Sequence, residues 1–183
     1  MRRYIGILVV LFAVFVVINS LYEQIQKDNK SAKSTRILCH ENVTVFERIY
    51  NDKKVESAQK NLLVGNYILS SSVQKATYSK SKLFDYVNLT DMDKIAVEMI
   101  ESYVKNRELS DDKLKISYYI YENDIKDPGK KTEKSKLYAG YVVFRFSDDK
   151  DELIYQVQID FMDKKGIDLP QSIKCAIKSF ITI

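Results

Sequence analysis

Cys39, His40 and Cys175 are the residues whose side chains could do the most demanding chemistry. A thiolate can attack a carbon or bind a metal, and an imidazole can take its proton. Their number limits them. His40 is the only histidine, so a His-rich metal site is excluded and a Ser-His-Asp or Cys-His-Asp triad is a poor fit. Cys39 and His40 are neighbours, and neighbours on a strand project to opposite faces, which places them badly as a dyad. Pairing His40 with Cys175 across the fold is chemically open. The plainer expectation is a surface histidine beside a half-buried cysteine. In an oxidising compartment the even cysteine count permits one bridge, Cys39–Cys175, and otherwise two thiols. Closing so long a loop would stabilise the chain by about 5 kcal/mol on chain-entropy grounds.

Other candidates carry a weaker signal. Asp148, Asp149 and Asp151 invite a cation, but an EF-hand needs alternating oxygen ligands, a central glycine and a closing glutamate. Lys150 stands in the middle and no glycine follows, so a solvated hairpin turn is expected. Asp91 and Asp93 suit the first turn of a helix. Lys126, Lys130, Lys131, Lys134 and Lys136 make a basic loop, interrupted by Asp124, Asp127 and Glu133. Such runs are usually solvated. Asn42-Val43-Thr44 and Asn88-Leu89-Thr90 fit the glycosylation pattern, which matters only in a eukaryotic secretory lumen. Tyr118, Tyr119, Tyr121, Tyr138, Tyr141 and Tyr155 fall on expected strands. Of these, Tyr119, Tyr121 and Tyr141 are the candidate interaction surface, because tyrosine buries a large area and keeps its hydroxyl wet. No residue set calls for a cofactor or a metal.

The elements that must hold these residues follow from apolar spacing. Arg36–Tyr50 reads as a strand with Ile37, Cys39, Val43, Val45 and Ile49 on one face. Val55–Val73 is ambiguous, with the stronger reading a strand near Leu62–Ser70. Gln74–Ser81 reads as an exposed loop. Leu89–Arg107 is the strongest helix, with Met92, Ile95, Ala96, Met99, Ile100, Tyr103 and Val104 at helical spacing and Thr90 as its N-cap. Lys113–Tyr121, Leu137–Phe146 and Leu153–Met162 read as three strands of an antiparallel meander. Ile167–Ile183 reads as a helix entered through Leu169-Pro170, with Asp168 as N-cap and Gln171 as its capping-box partner. Ile173, Ala176, Ile177 and Phe180 would then face the core and Cys175 away from it. The rival strand reading would turn Cys175 inward.

Ahead of these elements lies Tyr4–Tyr22, an uncharged apolar run preceded by Arg2 and Arg3. At 1.5 Å per residue it reaches the length needed to span a bilayer core of about 30 Å. Val, Ile and Phe stand where a signal peptidase site would want small residues, which favours an uncleaved anchor. Arg2 and Arg3 favour an N-terminus inside. The expected organisation is a cytoplasmic stub at 1–3, a transmembrane anchor at 4–22, a polar linker at 23–35 and an extracytoplasmic α+β domain at 36–183. In that domain two helices would pack an antiparallel sheet of three or more strands.

Composition narrows the function. The 183 residues carry a net charge of +4, without the clustered basic face that nucleic-acid binding requires. Five glycines and two prolines leave no room for Gly-rich phosphate loops or Pro-rich linkers. The expectation is a non-catalytic, single-pass accessory protein that presents its domain to another envelope protein. That partner would be a membrane regulator or sensor, or a secretion or pilus apparatus. The alternative is a ligand-binding or sensing domain with an apolar pocket between sheet and helices.

Overall fold

Alternation along the chain dictates the centre of the sheet. The computed structural model describes residues 36–130 and 132–183. In it Leu114, Ile116, Tyr118 and Ile120 are buried, while Lys115, Ser117, Tyr119 and Tyr121 on the opposite face are half-buried. The strands are β1 (Val45–Ile49), β2 (Tyr67–Gln74), β3 (Leu114–Glu122), β4 (Gly140–Ser147) and β5 (Leu153–Phe161). The helices are α1 (Val55–Leu63), α2 (Leu89–Glu101) and α3 (Leu169–Ile181). The spatial order is β1-β5-β4-β3-β2. As expected, β3, β4 and β5 form an antiparallel meander, and β1 adds antiparallel to β5. β2 runs parallel to β3, because the connection between them carries α2, the kind of crossover that parallel strands need. The domain is therefore α+β with a mixed five-stranded sheet and three helices, rather than an antiparallel sheet with two.

The helices supply the second layer. α3 packs on β4 and β5, α2 packs on β2, and the two helices pack on each other. Between them and the sheet, Phe146 and Phe180 stack with ring centroids 3.9 Å apart, and Tyr118 stacks on Phe144 at 4.7 Å. Full burial of each such side chain stabilises the fold by roughly 1.5–3 kcal/mol. α1 is tied to the far end of α3, where the Gln59 amide donates to Phe180 O at 2.8 Å.

Several boundaries differ from expectation. The Val55–Val73 stretch is helical to Leu63 and extended only from Tyr67, so the strand near Leu62–Ser70 is corrected. Ala58 and Leu62, four residues apart, are the buried pair of α1. Gly65, at φ +68°, ends that helix, with Gly65 N donating to Leu62 O and Asn66 N to Asn61 O. α2 is capped by Asn88 rather than Thr90, since Asn88 Oδ1 accepts from Thr90 N at 2.8 Å. It ends at Glu101, and Arg107 lies beyond it. β4 begins at Gly140 rather than Leu137. A Cβ at Gly140 would fall 2.1 Å from Tyr121 O, so only glycine fits where the strand closes on β3. Asp168 forms no side-chain cap on α3. Its carboxylate instead accepts from Met162 N and Asp163 N, fastening the end of β5 to the start of the helix.

Among the described residues no helix is long and apolar enough to cross a membrane. The expected anchor at 4–22 and linker at 23–35 lie outside the described residues.

Candidate functional site

Two features of the domain could carry function: the way its first residues are fastened, and the tyrosine face of its sheet. The expected strand over Arg36–Tyr50 holds only for Val45–Ile49, and Leu38–His40 form a 3-10 turn. A strand would have pointed Cys39 and His40 to opposite sides. In the turn both reach α3. Cys39 is disulfide-bonded to Cys175, with Cα atoms 5.9 Å apart. His40 reaches Ser179, one helical turn further on. Cys175 is 3% exposed, because the segment before β1 covers the side of α3 that was expected to face away from the core.

Arg36 completes the fastening. Its Nη1 donates to Thr182 O at 2.8 Å and its Nη2 to Ser179 O at 2.7 Å. The cation thus sits at the negative end of α3, where the last carbonyls lack helical partners. Nε and Nη2 also donate to the two Glu47 oxygens, at 3.1 and 2.8 Å. Glu47 in turn accepts from the Tyr155 hydroxyl at 2.6 Å. Burial, and then that carboxylate, push the Tyr155 phenol well above its usual range.

His40 is fully buried, not the surface histidine expected. Its Nε2 lies 2.7 Å from Ser179 Oγ, and Ser179 Oγ donates to Cys175 O at 2.8 Å. A hydroxyl has one proton to give. With that proton on Cys175 O, His40 Nε2 is the donor to Ser179. Burial lowers the imidazole pKa, with Glu47 opposing and Arg36 assisting. Ligand atoms of Cys39, His40 and Cys175 lie within 4.8 Å of one another, a spacing that would suit a metal. The sulfurs are bonded to each other, however, and no thiolate is left to ligate. The His40–Ser179 pair is likewise no nucleophile, because both residues are buried and the serine proton is already donated.

The sheet face opposite the helices gathers the three candidate tyrosines. Tyr121 and Tyr141 are register partners and stack at 4.5 Å. Tyr119 meets Tyr141 edge-on at 6.3 Å, and Tyr138 joins at 6.3 Å. Lys130, from the basic loop, places its ammonium 5.2 Å from the Tyr121 ring centre and 5.7 Å from that of Tyr138. It also bonds Tyr121 Oη and Asn123 Oδ1. Burial, then its tyrosine neighbours, raise the Tyr141 pKa. Asp160, the register partner of Tyr141 on β5, is 8% exposed, and burial raises its pKa against a hydrogen bond from Gln158.

A polar clamp went unread in the sequence. The Gln74–Ser81 stretch is not a loose loop, because two carboxylates at the end of β3 bind its backbone. Glu122 accepts from Ala76 N, Lys82 N and Leu83 N at 3.2, 2.7 and 2.9 Å. Asp124 accepts from Thr77 N and Ser79 Oγ at 2.6 Å each, and from Tyr78 N. Burial opposes ionisation of both, but the donated bonds prevail, and the Asp124 pKa falls to about 2. The available signal was parity, since Glu122 continues the inward series of Leu114, Ile116, Tyr118 and Ile120.

The acidic turn folds on itself. Asp148 Oδ1 accepts from Lys150 N and Glu152 N, and Lys54 bridges Asp148 and Glu152. A groove of about 600 Å³ opens beside it, lined by Lys54, Lys60, Asp112, Lys113, Asp148 and Lys150 among others. It is charged and open, unlike an apolar pocket between sheet and helices.

No protein-family model and no curated protein matches the chain. Among solved structures it is similar to PelC from Paraburkholderia phytofirmans. A dodecamer of a leucine-to-methionine variant aligns with a TM-score of 0.40 at 10% identity, covering 77% of this chain and 99% of that one. The PelC dodecamer in another crystal form gives a TM-score of 0.39 at 10% identity, over 76% and 95% of the two chains. A likeness at that level says nothing of what this chain does.

Proposed function

We propose that this chain is a single-pass, membrane-anchored accessory protein without catalytic activity. Its α+β domain lies outside the cytoplasm and engages another envelope protein. The observation that carries the reading is the Cys39–Cys175 disulfide, half-buried at Cys39 and buried at Cys175. Bridges of this kind persist in oxidising compartments. An apolar run preceded by two arginines, Tyr4–Tyr22, is the element that would hold the domain there with its N-terminus inside. The fastening of Arg36, Cys39 and His40 to α3 suits a domain that must be held firmly where the chain enters it. Tyr119, Tyr121 and Tyr141 are the contact face, with the partner a membrane regulator or sensor, or a subunit of a secretion or pilus apparatus. A ligand-binding domain has less support, because Phe144, Phe146, Tyr155 and Phe180 fill the space between sheet and helices.

The test is made on membranes of cells producing the full chain. Resistance to alkaline extraction, digestion of the domain by protease added from the extracytoplasmic side, and a mobility shift on reduction are the expected results. A photo-crosslinker at Tyr119 should capture one specific membrane protein. A domain shielded from external protease, with both thiols alkylatable, would sink the proposal.

A further inference from the structure

The two edges of the sheet are built differently. β1, at one edge, is five residues long and carries Glu47 and Arg48. Short length and charge are the usual devices that stop an edge from pairing with another chain. β2, at the other edge, has neither. It runs for eight residues, Tyr-Ile-Leu-Ser-Ser-Ser-Val-Gln, without a charge, a proline or a bulge. Its inner side is paired with β3 along the whole length, Tyr67 with Leu114 through Gln74 with Tyr121. On its outer side no backbone bond to another described segment forms. The nearest such bonds, Lys105 N to Leu63 O and Glu108 N to Val64 O, stop short of the strand. No β2 residue is fully buried, and even Leu69 and Val73 on the helix face stay half-exposed. Ile68 on the other face is 49% exposed.

We propose that β2 is a self-association edge, on which a second copy of this chain pairs antiparallel through its own β2 to continue the sheet across a two-fold axis. The sequence of the strand selects the second copy. In an antiparallel pair, directly opposed residues share a face. A two-fold axis through Ser71 meets that condition and sets Leu69 against Val73 of the second copy, twice. It sets Ser70 against Ser72, Ile68 against Gln74 and Tyr67 against Lys75. Tyr67 is neutral, and the Glu101 carboxylate that accepts from its hydroxyl at 2.8 Å is already paired with Arg107, so the fit rests on the apolar pair. The two half-exposed apolar residues of the edge therefore cover each other. An unrelated extended peptide would gain the same backbone bonds but not this reciprocal fit.

The test uses the purified full chain in detergent with no other envelope protein present, so its failure leaves capture of another protein untouched. Sedimentation equilibrium should show a dimer. Ser70→Lys with Ser72→Lys, at exposed positions, places two like-charge pairs across the axis and should weaken the dimer roughly tenfold. Ser70→Lys with Ser72→Glu turns the same two pairs complementary and should restore it. A monomeric wild-type chain, a dimer indifferent to the double lysine, or equal loss in both variants would overturn the proposal. Hydrogen exchange of wild-type residues 67–74 provides a readout without substitution. Protection that falls on dilution supports the pairing, and fast exchange at every concentration refutes it.

Discussion

His40 Nε2 lies 2.7 Å from Ser179 Oγ, one helical turn beyond the cysteine that bridges Cys39 to the same helix. The two links act as a unit. The bridge brings the 38–40 turn onto α3, and the histidine fills the space that the turn encloses. Arg36 closes the end of the helix above them. Cys39 and His40 are held by α3, and Arg36 ties that helix to Glu47 of β1, so the last helix helps to order the first described residues.

Reduction should therefore reach beyond two sulfurs. The bridge spans a sequence separation of 136 residues. A loop of that length corresponds to about 5 kcal/mol in the chain-entropy account. Cys175→Ser is expected to lower unfolding stability by up to that amount, and dithiothreitol should do the same to the wild type but nothing further to the variant. Urea melts of all three samples check this, and an unchanged midpoint on reduction would exclude a structural bridge.

Acidification should loosen the same region. Burial depresses the His40 pKa below its unfolded value, so the folded state prefers the neutral ring. The unfolded chain then binds more protons as pH falls below about 6.5, and stability drops between there and the depressed folded value. Glu47 opposes the shift and Arg36 reinforces it. Comparing urea midpoints at pH 7.5 and 5.5 should show the loss in the wild type, with a flatter profile in His40→Gln. A wild-type midpoint that rises on acidification would contradict the sign.

The legible and illegible parts of the chain divide on physical grounds. The meander was readable because β3 alternates cleanly, and α2 because its apolar residues keep a helical period. α1 was misread because its nine residues hold only two buried positions, too few to separate a helix from a strand. Gly65, whose positive φ ends α1, marks the boundary that apolar spacing leaves open. The parallel placement of β2 depends on a crossover that no local pattern records. The pairing of Cys39 with Cys175 could be named from the count of two, but not the side of α3 it uses. That side depends on a 3-10 turn written in residues, Leu38–His40, that also suit a strand. Tyr119, Tyr121 and Tyr141 could be picked out by alternation, but their mutual stacking and the lysine above them could not.

The stacked tyrosines predict a separation of binding from folding. Tyr121→Ala removes a ring that stacks on Tyr141 and neighbours the Lys130 ammonium. Such a pair contributes about 0.5–1.5 kcal/mol beyond area. The thermal midpoint should fall by only a few degrees while crosslinking to a membrane partner through Tyr119 drops sharply. Crosslinking at the wild-type level would remove these tyrosines from the contact face.

Gly140 is a sharper test of the sheet itself. Its missing side chain admits Tyr121 O and the Phe161 ring, which a Cβ would meet at 2.1 and 2.4 Å. Gly140→Ala must push the start of β4 away from β3 and strain the hydrogen bond from Asn123 N to Ala139 O. A loss of about 2 kcal/mol or more is expected, at the upper end of what one extra methyl does in a packed site. Chemical denaturation reads it directly, and a neutral result would mean that β4 joins the sheet later than Gly140.

The carboxylate clamp supplies the acid limb of the stability profile. Burial opposes ionisation of Glu122 and Asp124, but the Ser81 and Ser79 hydroxyls respectively, and then backbone donors, hold both below their usual range. For groups depressed in the folded state the stabilisation is complete above the unfolded pKa near 4. It is lost as pH falls through the folded value, about 2 for Asp124. Protonation or removal should release residues 75–83 before the sheet opens, because the clamp is the loop's main anchorage to β3. Asp124→Ala is expected to speed amide exchange at Thr77 and Tyr78 by roughly an order of magnitude while leaving β3 and β4 protected, the mark of a local opening. Glu122→Gln should act less, and on Ala76 before Lys82 and Leu83, since one amide oxygen can still accept from the latter two while the NH2 cannot accept from Ala76 N. Equal loss of protection across loop and sheet would show that the carboxylates hold the whole domain rather than the loop.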